Sequence, residues 1–247
     1  MKNVDNLIYE KYTSTSLLIE KSEIFNTLTS NAKSFMNLYG SYLPKSKDAA
    51  ILDIGCGFGK NIYTLVENDY KNLLGIDVSP EQVEYAHFEL KLSSFVKQGD
   101  AINWLTQDTT AYDCILLIDV LEHFELSEAL ELGKLISARL KIGGSIIIQV
   151  PNGLAPLQPF LWGDLTHKRA FTKDSLLQYM RLIGHFECNV FEILPAGVDF
   201  KEGVRRIFWK YIFRPCIATG MRLMYGGEFG GIYTANLGLV AMKKVST

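Results

Sequence analysis

Between residues 49 and 150, short and almost wholly apolar runs alternate with stretches of helical pattern. No other feature narrows the possible folds as far. The apolar runs cover residues 50–54, 73–76, 95–96, 114–118 and 145–150. Helical spacing covers 61–66 and 127–140, the latter expected to stop at Gly143 and Gly144. Ser79-Pro80-Glu81-Gln82 reads as a helix start, with serine as N-cap, proline at the first helical position and glutamine at the third. Strands this apolar need cover on both faces, so the pattern predicts a mostly parallel sheet between two layers of helices.

The flanking regions are read in the same way. Residues 1–47 carry Leu17, Leu18, Ile24, Phe25, Leu28, Phe35, Met36 and Leu38 at helical spacing, an N-terminal helical cap. A second division, 48–247, holds the sheet, with insertions near 151–172 and 196–231. A loop-rich stretch runs to Thr172, a helix follows over 173–183, and two last strands are expected at 189–194 and 233–242. The segment between those strands is too long for a hairpin loop and should carry structure, with Pro215 dividing it into two helices.

Composition excludes several classes. At 247 residues, 48% hydrophobic and 21% charged, the chain is neither disordered nor short of a core. A formal charge of −2 argues against a globally basic nucleic-acid binder. Cys56, Cys114, Cys188 and Cys216 form no CxxC pair, so reduced thiols and a cytoplasmic setting are expected. The first fourteen residues do not pattern as a signal peptide, and the long uncharged stretch at 142–163 is broken by prolines and so is no membrane span.

The chemistry concentrates at Leu52-Asp53-Ile54-Gly55-Cys56-Gly57-Phe58-Gly59, a glycine turn between a strand and a helix. A dinucleotide fingerprint would want a third glycine at position 60, where Lys60 stands, and Asp53 would repel a pyrophosphate. A ligand bearing an ammonium and a sulfonium would be attracted instead. The second strand ends in Gly75-Ile76-Asp77, an acid suited to two ribose hydroxyls. Gly99-Asp100-Ala101 follows the third strand and Asp119 ends the fourth.

In LDIGCGFG, GIDVS, GDA and YDCILLIDVLEH, at these spacings, the chain resembles the class I S-adenosylmethionine-dependent methyltransferases over roughly residues 47–150. The resemblance implies an α/β, Rossmann-like, seven-stranded and mostly parallel sheet with a closing antiparallel hairpin and helices on both faces. It implies S-adenosylmethionine as cofactor, with Asp53, Gly55, Cys56 and Gly57 about the methionine part and Asp77 at the ribose. Val78 would pack on the adenine, Asp100 and Ala101 would meet its edge, and Asp119 and Val120 would close the methionine side. Read plainly, Asp53 is a turn-capping carboxylate and Cys56 a small loop filler.

The acceptor is harder to read. There is no Pro-Pro pair after the fourth strand, and the one Pro-Cys, Pro215-Cys216, lies far downstream, so base methylation on nucleic acid is not indicated. A hydroxyl acceptor needs in-line positioning and a base. Of the four histidines, His87 and His185 read as surface and structural. His123 follows the fourth strand, and His167 lies in Trp162-Gly163-Asp164-Leu165-Thr166-His167-Lys168-Arg169-Ala170-Phe171-Thr172. That loop resembles a GD-x-TH-…-FT pattern of bacterial methyltransferases that modify surface polysaccharides or their precursors. The resemblance implies His167 as general base, with Asp164 orienting it or binding a substrate hydroxyl; Thr166 and Arg169, in the same dense polar loop, are expected as substrate contacts. Arg205 and Arg206 belong to a basic, aromatic stretch at 204–225, read as a phosphate-gripping lid, a peripheral membrane contact or a homodimer face. The leading expectation is O-methylation of a sugar hydroxyl, with no metal and no nucleic-acid partner. A quinone or small-aromatic O-methyltransferase, and a non-catalytic cofactor-binding protein, are the alternatives. A dehydrogenase is the remaining one.

Overall fold

The computed structural model describes residues 8–10, 21–194 and 200–245. Residues 1–7, 11–20, 195–199 and 246–247, and with them Leu17 and Leu18 of the expected helical cap, lie outside the described residues. Seven strands form one sheet in the order β3-β2-β1-β4-β5-β7-β6. They are β1 (Ile51–Ile54), β2 (Leu73–Asp77), β3 (Val96–Gln98), β4 (Tyr112–Ile118), β5 (Leu140–Pro151), β6 (Phe186–Glu192) and β7 (Asn236–Lys243). Only β7 runs against its neighbours, pairing antiparallel with both β5 and β6. This is the Rossmann-like, mostly parallel architecture expected of the sequence.

Alternation along each strand builds two cores. Leu52, Ile54, Ile115, Leu117, Ile146 and Ile148 face one side. There they meet α5 (Leu126–Arg139) and α7 (Lys173–Ile183) through Leu132, Ile136, Leu176 and Met180. Ile51, Cys114, Leu116, Ile118 and Ile147 face the other side. That side is covered by α1 (Lys21–Tyr39), α2 (Lys60–Glu67) and α3 (Pro80–Phe88), through Phe35, Tyr39, Ile62, Leu65 and Ala86. Leu116, Leu117, Ile115 and Leu132 have no solvent exposure, and burial of each such side chain contributes roughly 2 kcal/mol.

Some boundaries differ from the sequence reading for local reasons. α5 ends at Arg139 rather than at the glycine pair, because Leu140 already pairs with Tyr112 and β5 begins there. Gly143, at φ +79, then serves a bend inside the strand. Ser79 caps α3 by position but not by hydrogen bond: its hydroxyl has no partner, and its N–H is instead held by Asp77. α7 starts as predicted, with Thr172 and Ser175 in a reciprocal cap. The long insertion is helical: α8 (Phe200–Phe208), a π-turn at Trp209–Phe213, and α9 (Arg214–Tyr225) with Pro215 in its first turn. No helix among the described residues is long and apolar enough to cross a membrane.

Candidate functional site

The carboxyl ends of β1, β2 and β4 open into a cavity of about 280 Å³ beside the point where strand order reverses. Gly55 and Gly57 form its floor at φ +65 and +58, conformations that favour glycine. At Gly55 a β-carbon would also stand 2.5 Å from Val120 Cγ2, so a side chain there would collide with the opposite wall.

Asp77 anchors this floor. Its Oδ2 accepts from the Gly57 N–H and its Oδ1 from the Ser79 N–H, both at 2.8 Å. One lone pair of each oxygen stays available on the cavity side, where Asp77 is part of the wall. Burial raises its pKa, and the two backbone donors counteract that rise. Val78, Asp100, Ala101 and Val120 also line the cavity. Asp100 spends one oxygen on capping α4 (Ala101–Gln107), accepting from Asn103 N–H at 2.9 Å.

Asp119 closes the far side in a left-handed conformation, φ +57, that costs a non-glycine residue about 1 kcal/mol. A clamp holds it there. Gln149 Nε2 donates to both carboxylate oxygens at 2.9 Å, and Gln149 Oε1 accepts from the Tyr39 hydroxyl at 2.6 Å. No local pattern points to this clamp, because β5 and α1 supply it from distant positions. Ser79 and Gln82 are further wall residues that motif reading passed over. Both are buried, and Ser79 Oγ and Gln82 Oε1 have no partner. Their only sequence signal was the helix start just after Asp77.

Two expected cofactor contacts lie elsewhere. Asp53 is 1% exposed and does not line the cavity. Side chains alternate along β1, so Ile54 faces the cavity while Asp53 turns to the other face, where Asn61 Nδ2 donates to its Oδ2 at 3.3 Å. Its Oδ1 has no partner, and burial pushes its pKa up to about 7. Cys56 is likewise buried, its sulfur packed where a β-carbon on Gly75 would sit at 2.9 Å; it fills the loop, as the plainer reading had it.

His123, Phe124, Glu128, Lys168 and Tyr9 line the same cavity. His123 ends a short turn (Leu121–His123) after β4. Its Nδ1 meets Thr166 Oγ1 at 2.8 Å, and that hydroxyl donates onward to Asp164 Oδ1 at 2.6 Å. The proton is therefore on Nδ1, and Nε2 carries the free lone pair. Burial, and next the neighbouring His167, push the His123 pKa down to about 4. His123 is thus neutral near pH 7.

The substrate loop is arranged differently from the expectation. Asp164 is coupled through Thr166 to His123, not to the side chain of His167. Thr166 is buried and committed to that relay, so it is no free substrate contact. His167 does not line the cavity: its Nδ1 meets the Leu161 carbonyl at 3.0 Å and its Nε2 lies 3.8 Å from Glu122 Oε1. Arg169 ties the loop to the sheet, donating to the Phe124 carbonyl at 3.1 Å and standing 3.8 Å from Glu125. Arg205 and Arg206 are on α8, away from this cavity. Arg205 lines a second one, of about 590 Å³, with Phe208, Trp209, Phe213 and Ile193, and Arg206 is exposed. The expectation of no metal site also meets a difference. Glu122, His123 and His167 come together with one potential ligand atom each within 4.8 Å of the others. The adjacent Glu122-His123 pair was the one signal for it in the sequence; His167 joins only through the fold.

Residues 51–144 match the family model for a methyltransferase domain. Norajmaline N-methyltransferase of Rauvolfia serpentina is 32% identical over 99 residues, 38% of this chain and 33% of that protein. A tRNA U34 carboxymethyltransferase of Cellvibrio japonicus is 28% identical over 174 residues, 64% of this chain and 52% of its own length. The chain thus spans a third to about half the length of these relatives. Among solved structures, a SAM-dependent methyltransferase from Archaeoglobus fulgidus superposes with a TM-score of 0.63 at 21% identity, covering 91% of this chain and 100% of that one. Residues 51–144 are thus similar to a methyltransferase domain, and the chain shares the fold of that solved methyltransferase.

Proposed function

We propose that the protein is an S-adenosylmethionine-dependent O-methyltransferase. Its acceptor would be a sugar hydroxyl of a bacterial surface glycan or of an activated precursor, and a histidine would take the acceptor's proton. The observation that carries this reading is the pairing, in one cavity, of a ribose-suited Asp77 with a neutral, oriented His123.

The residues present fit the cofactor. Asp77 keeps outward lone pairs for a ribose diol, and Ser79 Oγ and Gln82 Oε1 are buried groups in want of partners. Val78 and Ala101 offer apolar contact for an adenine, with Asp100 beside them. Gly55 and Gly57 allow close approach of the methionine part, and the clamped Asp119 and Val120 meet its ammonium end. When bound, S-adenosylmethionine supplies a methyl group on a sulfonium centre. The chain's part is to hold the acceptor in line and to accept its proton as the O–C bond forms. In the metal-free chain His123 Nε2 takes that proton, while Asp164 and Thr166 hold the ring and favour the charge it gains. Glu128 and Lys168, beside His123, are polar groups suited to a polyol.

In this reading residues 48–247 are the catalytic domain and 1–47 its cap. The α8–α9 pair exposes Phe200, Ile207, Tyr211 and Phe213 together with Arg205, Arg206 and Lys210, a surface suited to a phosphorylated, lipid-carried acceptor or to a second copy. The test is incubation with S-adenosylmethionine and a panel of nucleotide sugars, glycans and phenols, read by mass spectrometry. A gain of one methyl on a sugar supports the reading. Gain on a phenol or quinone alone moves the acceptor to the small-aromatic alternative. Tight cofactor binding without any product leaves a non-catalytic binding protein.

A further inference from the structure

We propose that Glu122, His123 and His167 form a binding site for one divalent transition-metal ion at the acceptor end of the cavity. Glu122 has no solvent exposure, and neither of its carboxylate oxygens has a hydrogen-bond partner. An unpartnered buried carboxylate is costly and calls for a cation or a proton.

Both histidines present themselves as ligands. The Nδ1 of His167 donates to the Leu161 carbonyl at 3.0 Å, which turns Nε2 toward Glu122, 3.8 Å from its Oε1. The Nδ1 of His123 is held by the Thr166–Asp164 relay, which leaves its Nε2 free. Metal-binding histidines are typically fixed in this way, with the second ring nitrogen bonded to a carbonyl or, directly or by relay, to a carboxylate. The rings pack edge-on with centroids 4.6 Å apart. Ligand atoms roughly 2.1 Å from a tetrahedral ion lie about 3.4 Å from one another. The observed spread of 3.8 to 4.8 Å closes onto an ion by side-chain movement of about an ångström.

Two imidazoles and one carboxylate favour zinc, manganese or iron over magnesium or calcium, and leave coordination positions open. His123 is part of the cavity wall, so an open position there reaches the acceptor space. An ion would also fasten the 151–172 loop, through His167, to the end of β4. The inference rests on the reading above for where the acceptor lies. It does not share the base: an ion on His123 Nε2 takes the lone pair that the metal-free chain uses for the proton, so loading turns His123 from base into ligand.

The test starts from chelator-treated full-length protein. Mn2+ is titrated by electron paramagnetic resonance and calorimetry, and S-adenosylhomocysteine binding is measured on the same samples. One bound Mn2+ is expected, weakened at least about tenfold in Glu122→Gln and in His167→Ala, while both variants still bind S-adenosylhomocysteine and so are folded. Absence of Mn2+ binding, or equal binding by both variants, overturns the site. Cofactor binding without Mn2+ binding leaves the methyltransferase reading standing and removes the metal. Mn2+ binding without cofactor binding does the reverse.

Discussion

Asp53→Asn isolates the electrostatic cost stored beneath the glycine turn. In the folded chain the Asp53 carboxyl is 1% exposed, one oxygen has no partner, and its pKa is pushed up to about 7 from an ordinary 3.8. Burial is the main cause. Asn61 and Lys60 oppose it, and Asp77 adds to it. The folded state therefore binds the proton more tightly than the unfolded state does. Between pH 3.8 and about 7 the unfolded chain has lost that proton while the folded chain retains it, so stability falls as pH rises through this window and levels off above it. At about 1.4 kcal/mol per pH unit, the two units from pH 5 to pH 7 amount to about 3 kcal/mol. Asparagine cannot ionise, so the variant lacks this slope. Its own amide leaves one buried donor unpaired, which costs about 1–3 kcal/mol but does so equally at every pH. Urea unfolding of both proteins at pH 5, 6, 7 and 8 gives the comparison. The difference in unfolding free energy should move toward the variant by about 3 kcal/mol across the range, since other titrating groups are common to both. Parallel pH profiles would refute the assignment of a protonated, buried Asp53.

Three further outcomes are expected. Asp77→Ala removes the acceptor of two backbone N–H groups and the proposed ribose contact; calorimetry with S-adenosylhomocysteine should show at least about a hundredfold weaker binding, and retained wild-type affinity would remove Asp77 from the site. In the metal-free protein, turnover should stay high down to about pH 5 and fall as His123 protonates near pH 4, so an acid limb at the ordinary 6.5 would contradict the buried ring as base. Gly133→Ala places a methyl 2.4 Å from Tyr179 Oη and 2.5 Å from Ile183, so a drop of about 1–3 kcal/mol is expected by chemical denaturation, with cofactor affinity unchanged.

What could be read in the chain alone was whatever depends on local pattern. Apolar runs ending at Gly55, Asp77 and Asp119 were enough to give the sheet, its helical cover and the strand-end wall of the cavity, because parallel strands in this fold present their carboxyl ends together. The helix at Lys173–Ile183 was legible for the same reason: a serine- and threonine-rich cap precedes an amphipathic run.

The surroundings of Asp53 and His123 were not legible in that way. Which face of β1 carries Asp53 depends on strand register, and register turned that acid from the cavity to Asn61. Asp164 and His167 are close in sequence, yet loop geometry sends the acid through Thr166 to His123, 41 residues upstream of it. The Tyr39–Gln149–Asp119 clamp and the Glu122–His123–His167 cluster join side chains from separate elements. Sequence determined where charged groups enter each strand end, since local propensity and alternation operate over a few residues. Tertiary packing alone decided which of those groups meet, because burial and hydrogen-bond partners come from segments that only the folded sheet brings together.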